Sequence, residues 1–242
     1  MIIAGPLESS RLGRTVAIQN VPCRQCTYSC LYCGLGGTER LRTRRRPFHT
    51  AEGVVDAVLR VLDRAPERVA IDHLSFQAGG EPTLDTHLGV EIRGLREAAI
   101  PIAVLTNASL LWRGDVRDEL LAADLVSLKL DTADAETWRR LNRPGRQLRL
   151  GRILGGVAGF AESFGGLLHT ETTLVPGVND DPEQLASLAA FLAALRPERV
   201  SLFAAGGDRD REAESLERAR SILGARLPRV VVPAHRPEAP SE

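Results

Sequence analysis

Three cysteines stand at a spacing that could hold a metal cluster on one short loop. Cys26, Cys30 and Cys33 form a Cys-x3-Cys-x2-Cys run, and Cys23 stands three residues before it. Three thiolates can hold three irons of a cubane and leave the fourth iron open for a substrate or cofactor. The four cysteines also divide into two CxxC pairs, which would suit tetrahedral zinc. The loop alone therefore leaves two metals and two ligand sets open.

The distribution of cysteine along the chain supports a metal or redox site. All four cysteines of the 242 residues fall between positions 23 and 33, whereas a disulfide scaffold spreads its cysteines to close loops. The N-terminus has no apolar run long enough for a secretion signal, and no run of about 18 apolar residues is present for a membrane span. We therefore expect a cytoplasmic protein with reduced thiols and no membrane contact.

The net charge shows that the chain as a whole is not strongly basic, although one of its loops is. Basic and acidic residues both number 31, so the net charge is zero and there is no strong nucleic-acid signal. Arg44, Arg45 and Arg46 end a basic run after the cysteines. This run is either a solvated loop or a contact for a phosphate-bearing substrate, RNA or an acidic electron donor.

Polar residues follow or interrupt three later apolar runs that we predict to be strands. They are Gly79, Gly80, Glu81, Thr106, Asn107, Ser127, Lys129 and Asp131. The glycines let the backbone approach a ligand closely, and the carboxylate of Glu81 suits an ammonium group. Period two puts the last three residues on one face of their strand. Each of these groups of residues also has a purely structural interpretation, such as a turn or a helix cap.

Apolar, β-rich runs alternate with helical patterns from residue 15 almost to the end. The predicted strands are 15–21, 69–76, 101–106, 124–130, 167–175, 199–203 and 230–232. The predicted helices are 50–64, 87–98, 113–121, 134–141, 148–164, 181–195 and 209–223. This alternation indicates an α/β fold with a parallel sheet, and the length favours a partial, open (β/α)6 barrel over a flat doubly wound sheet. In β/α barrels the carboxyl ends of the strands share one face, which would gather the polar residues.

The order of these segments resembles the radical S-adenosylmethionine (SAM) superfamily. The cysteine run, with Tyr32 before its last cysteine, is similar to that family's cluster loop. Residues 79–81 resemble its GGE segment and residues 105–109 its TNG strand end, where Ala108 departs from the usual glycine. The loop resembles small Fe–S oxidoreductases related to the tRNA-wybutosine-synthesising radical SAM enzymes. The resemblance covers about residues 15–205.

The resemblance implies a partial (β/α)6 barrel in which Cys26, Cys30 and Cys33 bind a [4Fe–4S] cluster. It implies that SAM chelates the open iron and contacts Tyr32 and the strand-end residues named above. One electron, from a reductase such as flavodoxin or ferredoxin, would split SAM to methionine and a 5′-deoxyadenosyl radical. The implied activity is hydrogen abstraction from a substrate, a small molecule or a macromolecule, that the sequence does not identify.

Two other functions stay open at this point. One is a glycyl-radical activase, and the other is a zinc-binding interaction module that uses all four cysteines. For the chain as a whole we expect an N-terminal extension at residues 1–14, the radical SAM core at 15–232 and a loose tail at 233–242, which contains three prolines.

Overall fold

The computed structural model describes residues 2–38, 40–65, 70–77 and 79–233. These residues form ten strands and seven α-helices: four strands precede the first helix, and strands and helices then largely alternate. The strands are β1 (Ile2–Ser9), β2 (Gly13–Gln19), β3 (Gln25–Cys26), β4 (Arg40–Leu41), β5 (His73–Phe76), β6 (Ile102–Thr106), β7 (Leu125–Lys129), β8 (Leu167–Leu174), β9 (Arg199–Ala204) and β10 (Val230–Val231). The helices are α1 (Ala51–Arg64), α2 (Leu88–Leu95), α3 (Gly114–Leu120), α4 (Ala135–Asn142), α5 (Leu150–Ser163), α6 (Pro182–Leu195) and α7 (Arg209–Gly224).

Eight of the strands form one open sheet, in the order β1-β2-β5-β6-β7-β8-β9-β10. Every pair from β2 to β10 is parallel, and sequential strands are neighbours, as right-handed β/α crossovers produce. The predicted partial, open barrel is therefore confirmed. Strands β3 and β4 form a separate two-stranded ribbon around the cysteine loop.

Local capping explains where several of the helices begin. The side chain of Thr50 accepts the backbone N–H of Gly53 at the start of α1. Asp134, Asp181 and Asp208 cap α4, α6 and α7 in the same way. Pro182 occupies the first turn of α6, where its missing N–H costs nothing. The helices predicted at 50–64 and 181–195 therefore begin at these capping residues.

The predicted extension at residues 1–14 contains a strand that the sequence pattern does not indicate. β1 pairs antiparallel with β2 from Ile2↔Gln19 to Ser9↔Gly13 and adds an edge strand to the sheet. The pairing slips between Ala4 and Leu7, which breaks the period-two pattern that identifies a strand. Residues 66–69, where the second predicted strand begins, and residues 234–242 of the predicted tail lie outside the described residues.

The core packs the helices against the outer face of the sheet and so holds the strand ends in place. Its largest fully buried side chains include Ile18, Phe76 and Phe160. Close packing of this kind leaves side chains little freedom to shift. No helix in the described part of the chain is long and apolar enough to cross a membrane.

Candidate active site

The cysteine loop follows β2 and is anchored by the turn after α4. Cys26 lies in β3. The backbone N–H of Gly145 donates to the Thr27 carbonyl (3.0 Å), and that of Leu31 donates to the Leu141 carbonyl (2.9 Å). These bonds satisfy backbone groups that a loop of this length would otherwise leave to water. The cysteines are therefore held against the barrel rather than on a free loop.

The loop forms part of the wall of a cavity of about 360 Å³ inside the barrel. The predicted site residues on this wall are Cys26, Cys30, Tyr32, Cys33, Gly79, Gly80, Glu81, Thr106, Asn107, Ser127 and Lys129. They come from the cysteine loop, from β6 and β7, and from the segment that follows β5. Parallel strands place such residues at one face of the sheet, the usual place for the active site of a β/α barrel.

Glu81 is 1% exposed and uses most of its acceptor capacity within the protein. One carboxylate oxygen accepts the N–H and the hydroxyl of Thr83 (3.1 and 2.6 Å) and the hydroxyl of Thr106 (2.5 Å). Among the described residues, the other oxygen accepts only the N–H of Asn107 (2.8 Å). A carboxylate oxygen has two lone pairs, so this second oxygen can accept one more donor from a ligand. Burial raises the pKa of Glu81, although the four donors oppose that shift.

Asn107 joins the end of β6 to the cysteine loop. Its side-chain amide donates to the hydroxyl of Thr27 (2.8 Å) and to the sulfur of Cys26 (3.3 Å). The next residue, Ala108, has φ of +61°, in the left-handed region that favours glycine. The residue that departs from the expected glycine therefore keeps the backbone conformation that makes glycine usual there.

Asp131 does not line the cavity but organises a network behind its wall. One carboxylate oxygen accepts the hydroxyl of Tyr32 and the side-chain amide of Asn142 (2.8 Å). The other accepts the Nζ of Lys129 (3.2 Å) and the backbone N–H of Thr173 (2.8 Å). Lys129 also donates to the Thr173 hydroxyl (2.7 Å) and lies 4.6 Å from the centre of the Tyr32 ring. These contacts fix an ammonium group at the cavity wall.

Two of the three predicted cluster ligands accept an N–H from an asparagine side chain. Asn107 donates to Cys26 and Asn142 donates to Cys30, the latter at 3.4 Å. Burial first, and a neighbouring carboxylate second, raise the pKa of Cys26 to about 12 and that of Cys30 to about 11. A metal binds the thiolate form, so its binding must displace these protons. The asparagine N–H groups would then face negatively charged sulfur.

Cys23, unlike the other three cysteines, does not line the cavity. It packs against Gly79, where an added Cβ would lie 2.9 Å from its sulfur. Within the described ranges, no three His, Cys, Asp or Glu side chains converge where a single metal ion could bind. Tetrahedral zinc needs its ligands within about 2.3 Å of one ion. A cubane needs no such convergence, because each thiolate binds a different iron.

Sequence reasoning missed the opposite end of the cavity, which the N-terminal hairpin supplies. Arg11, in the turn before β2, donates to both carboxylate oxygens of Glu171 on β8 (3.1 and 3.0 Å). It also donates to the side chain of Gln77 (3.3 Å), and the hydroxyl of Ser127 donates to Glu171 (3.0 Å). The turn lies at the amino end of β2, so this ion pair forms the floor of the cavity. Nothing in the sequence pairs two residues 160 positions apart.

The three arginines predicted to contact a substrate or partner have different environments. Arg45 is buried, pairs with Asp115 (2.9 Å) and Glu119, and donates to two backbone carbonyls in the turn after β5. Its donors join the basic loop to α3, which corrects the predicted role of this residue as a surface contact. Arg44 and Arg46 are exposed and are the members of the trio that a partner can reach.

The comparisons with known proteins agree with this arrangement. The family model described as "Radical SAM superfamily" matches residues 20–189. UPF0026 protein MJ1312 of Methanocaldococcus jannaschii is 40% identical over 201 residues, which are 83% of this chain and 62% of that protein. The chain therefore spans less than two thirds of that relative's length.

Two solved structures show the same fold at low sequence identity. The structure of TYW1 with a lysine-pyruvate adduct bound has a TM-score of 0.65 and 18% identity, covering 88% of this chain and 74% of that one. A radical SAM methyltransferase from Sphaerobacter thermophilus has a TM-score of 0.64 and 20% identity, covering 90% and 65%. At this identity the likeness is one of fold and does not transfer a substrate.

Proposed function

The chain belongs to the radical SAM superfamily, and we propose that it binds a [4Fe–4S] cluster on Cys26, Cys30 and Cys33 and cleaves SAM reductively there. Membership of this family makes the protein an enzyme that uses SAM and an iron–sulfur centre. When bound, the cluster supplies the electron that splits SAM into methionine and a 5′-deoxyadenosyl radical. We propose that this radical abstracts hydrogen from a substrate.

The observation that carries the proposal is the shared cavity. The three cysteines line the same cavity as the polar residues at the strand ends, and Cys23 does not. This favours three thiolate ligands with one open iron over four ligands on a closed site. Two asparagine N–H groups already point at the sulfurs of Cys26 and Cys30, which suits anionic thiolates.

Individual residues suit the functional groups of SAM. The free lone pair of Glu81 suits the ammonium of SAM, and the ammonium of Lys129, held by Asp131, suits its carboxylate or ribose. Gly79 and Gly80 let the segment after β5 pack closely against the start of the cysteine loop, because a Cβ at Gly80 would overlap the backbone carbonyl of Gln25. We assign both glycines to the SAM site as part of the same proposal, since they line the cavity. We assign the remaining wall residues Tyr32, Thr106, Asn107 and Ser127 to SAM as part of the same proposal.

The substrate side of the cavity is polar and carries both signs of charge. The Arg11–Glu171 pair lies at the floor, beyond the residues assigned to SAM. We propose that the substrate, or the reactive part of a larger substrate, enters this space. An electron donor such as flavodoxin or ferredoxin would reduce the cluster, because the cleavage of SAM takes one electron from it.

One experiment separates the proposed function from the zinc alternative. Protein reconstituted anaerobically with iron and sulfide, then given dithionite and SAM, should yield 5′-deoxyadenosine and methionine. Cys30→Ser should abolish this product, whereas Cys23→Ser should keep iron content and product near the unsubstituted level. Zinc at one equivalent, with neither iron uptake nor SAM cleavage, would overturn the proposal. A glycyl-radical activase would further require that a partner protein acquire a glycyl radical when mixed with the reduced enzyme and SAM.

A further inference from the structure

The charge of the chain is zero overall but unevenly distributed. Only one of its 31 basic residues is a lysine, and the rest are arginines. Three segments, residues 22–38, 40–50 and 139–152, contain no Asp or Glu. Their arginines are Arg24, Arg40, Arg42, Arg44, Arg45, Arg46, Arg139, Arg140, Arg143, Arg146, Arg149 and Arg152. Glu39, between the first two segments, is the one acidic residue among residues 22–50, against six arginines.

The three segments meet around the cysteine loop. The backbone N–H of Arg42 donates to the carbonyl of Cys26 (2.8 Å), so the basic loop runs beside the cysteines. The hydroxyl of Thr43 donates to the side chain of Gln147 (2.8 Å), so the same loop contacts the turn after α4. The turn after α4 also anchors the cysteine loop, through the bond from Gly145 to Thr27. Residues that are distant in sequence thus form one positively charged face.

Eight arginines of these segments are exposed and form no ion pair with the described carboxylates. They are Arg44, Arg46, Arg139, Arg140, Arg143, Arg146, Arg149 and Arg152. The buried Arg45 differs from them because Asp115 and Glu119 neutralise it. Unpaired arginines at a surface are suited to carboxylates supplied by a partner, since the planar guanidinium matches their geometry.

Two exposed leucines lie on the same face. Leu31 is 43% exposed and stands between two of the proposed cluster ligands, Cys30 and Cys33. Leu41 is 45% exposed and pairs with Cys26 in the β3–β4 ribbon. Protein interfaces commonly place apolar residues at the centre and polar residues at the rim, with arginine enriched. Here the apolar residues mark the point where the cysteine loop reaches the surface.

We propose that this arginine face, defined by Leu31, Leu41, Arg44, Arg143 and Arg146, is the docking surface for an acidic protein that donates one electron. The inference rests on the proposed function, which requires an electron at the cysteine loop. In the transfer the donor loses one electron and the oxidised cluster gains it, and no atom is exchanged. Opposite charge on the donor speeds and orients the encounter. The leucines then exclude water next to the cysteine run.

A protein partner fits this face better than RNA does. Single-stranded RNA is usually bound on exposed aromatic side chains on which bases stack. The two tyrosines of the cysteine loop are not available for that role: Tyr28 is buried against Trp138, and Tyr32 faces the cavity and bonds to Asp131. The exposed apolar residues of the face are leucines, which suit a folded protein surface.

The test compares two reductants on the reconstituted holoenzyme. The probe is a purified flavodoxin kept reduced by its reductase, and dithionite is the small reductant that needs no docking surface. The variants are Arg143→Glu with Arg146→Glu, and Arg44→Glu alone. Arg220→Glu, an exposed charge reversal on α7, is the matched control. Binding of flavodoxin is measured separately by titration at two salt concentrations, on both the holoenzyme and the variants.

We expect the double variant to lower flavodoxin-driven formation of 5′-deoxyadenosine at least about tenfold and to raise the Kd for flavodoxin similarly. Dithionite-driven formation should stay within about twofold, and added salt should weaken binding of the unsubstituted protein. Equal losses with both reductants, or no difference from Arg220→Glu, would overturn the docking surface. Tighter binding of a single-stranded RNA than of flavodoxin, lost in the same variants, would overturn it in favour of nucleic acid. If dithionite gives no product in the unsubstituted protein, the proposed function fails, and the titration still decides whether flavodoxin docks here.

Discussion

Asn142 is the residue whose replacement tests the site most directly. It ends α4, is 3% exposed, and its side-chain amide lies within hydrogen-bonding distance of three acceptors. These are the carboxylate of Asp131 (2.8 Å), the hydroxyl of Tyr32 (3.2 Å) and the sulfur of Cys30 (3.4 Å). The amide has two hydrogens, so it shares them among these acceptors. Asn142→Ala removes all three contacts and leaves the carboxylate with one donor fewer.

The contacts of Asn142 give the size of the stability loss expected in Asn142→Ala. A hydrogen bond to a charged group contributes about 1.5–3 kcal/mol, and Asp131 is the charged partner here. In a protein of this length each kcal/mol lowers Tm by about 2–4 °C, so we expect a decrease of about 3–12 °C. A second effect is specific to the proposed cluster. Losing an N–H donor to the sulfur of Cys30 should make the midpoint potential more negative, because hydrogen bonds to the sulfurs raise that potential.

The assay combines thermal unfolding with a redox titration followed by electron paramagnetic resonance. Asn179→Ala is the matched control, because Asn179 is equally buried and donates to the carbonyls of Asp131 and Thr173 but to no cysteine. We expect both variants to lose stability and only Asn142→Ala to shift the potential. An equal shift in both, or none in Asn142→Ala, would refute the reasoning.

Three further predictions concern stability and loading. Arg45→Met removes a buried cation from two carboxylates and should lower the free energy of unfolding, measured by urea denaturation, by about 3 kcal/mol. Arg44→Met should change the same free energy by less than about 0.5 kcal/mol. Similar values for the two variants would contradict the structural role of Arg45. Burial, with two nearby arginines, lowers the pKa of His169 from 6.5 to about 4, so its contribution to stability is complete above pH 6.5 and is lost as the pH falls toward 4. The full shift corresponds to at most about 3 kcal/mol, and solvent screening makes the effect smaller because His169 is partly exposed. His169→Gln should flatten the pH dependence of the urea midpoint across that interval, and an unchanged slope would count against this account. In Gly80→Ala the added methyl group would push against the carbonyls of Gln25 and Pro22, so this variant should take up less iron on reconstitution. Gly37→Ala has open space around it and should take up iron normally. Full iron uptake by Gly80→Ala would show that the close packing of Gly80 against the cysteine loop is dispensable.

Much of the fold was accessible from the sequence because it depends on local patterns. The alternation of β-rich runs with helical periodicity predicted the parallel strands and their helices, and it did so without knowledge of which strands are neighbours. The helices predicted at 50–64 and 181–195 likewise depend on local contacts, since the caps at Thr50 and Asp181 join residues three apart or fewer. Strand β1 was not predicted, because a slip in its pairing interrupts the alternation that identifies a strand.

The sequence by itself determined the chemistry that the cysteine loop can carry, and with the order of the polar segments it indicated the family. Residue type and spacing within one loop suffice for that, since they decide which atoms can reach a common cluster. Only the tertiary structure placed Cys26, Cys30 and Cys33, but not Cys23, on the wall of the cavity and brought Asn142 to Cys30. It likewise buried Arg45 among acids from α3 and set the Arg11–Glu171 pair at the floor of the cavity. Those contacts join residues far apart in the chain, and their partners are chosen by how the sheet and helices pack rather than by any local pattern.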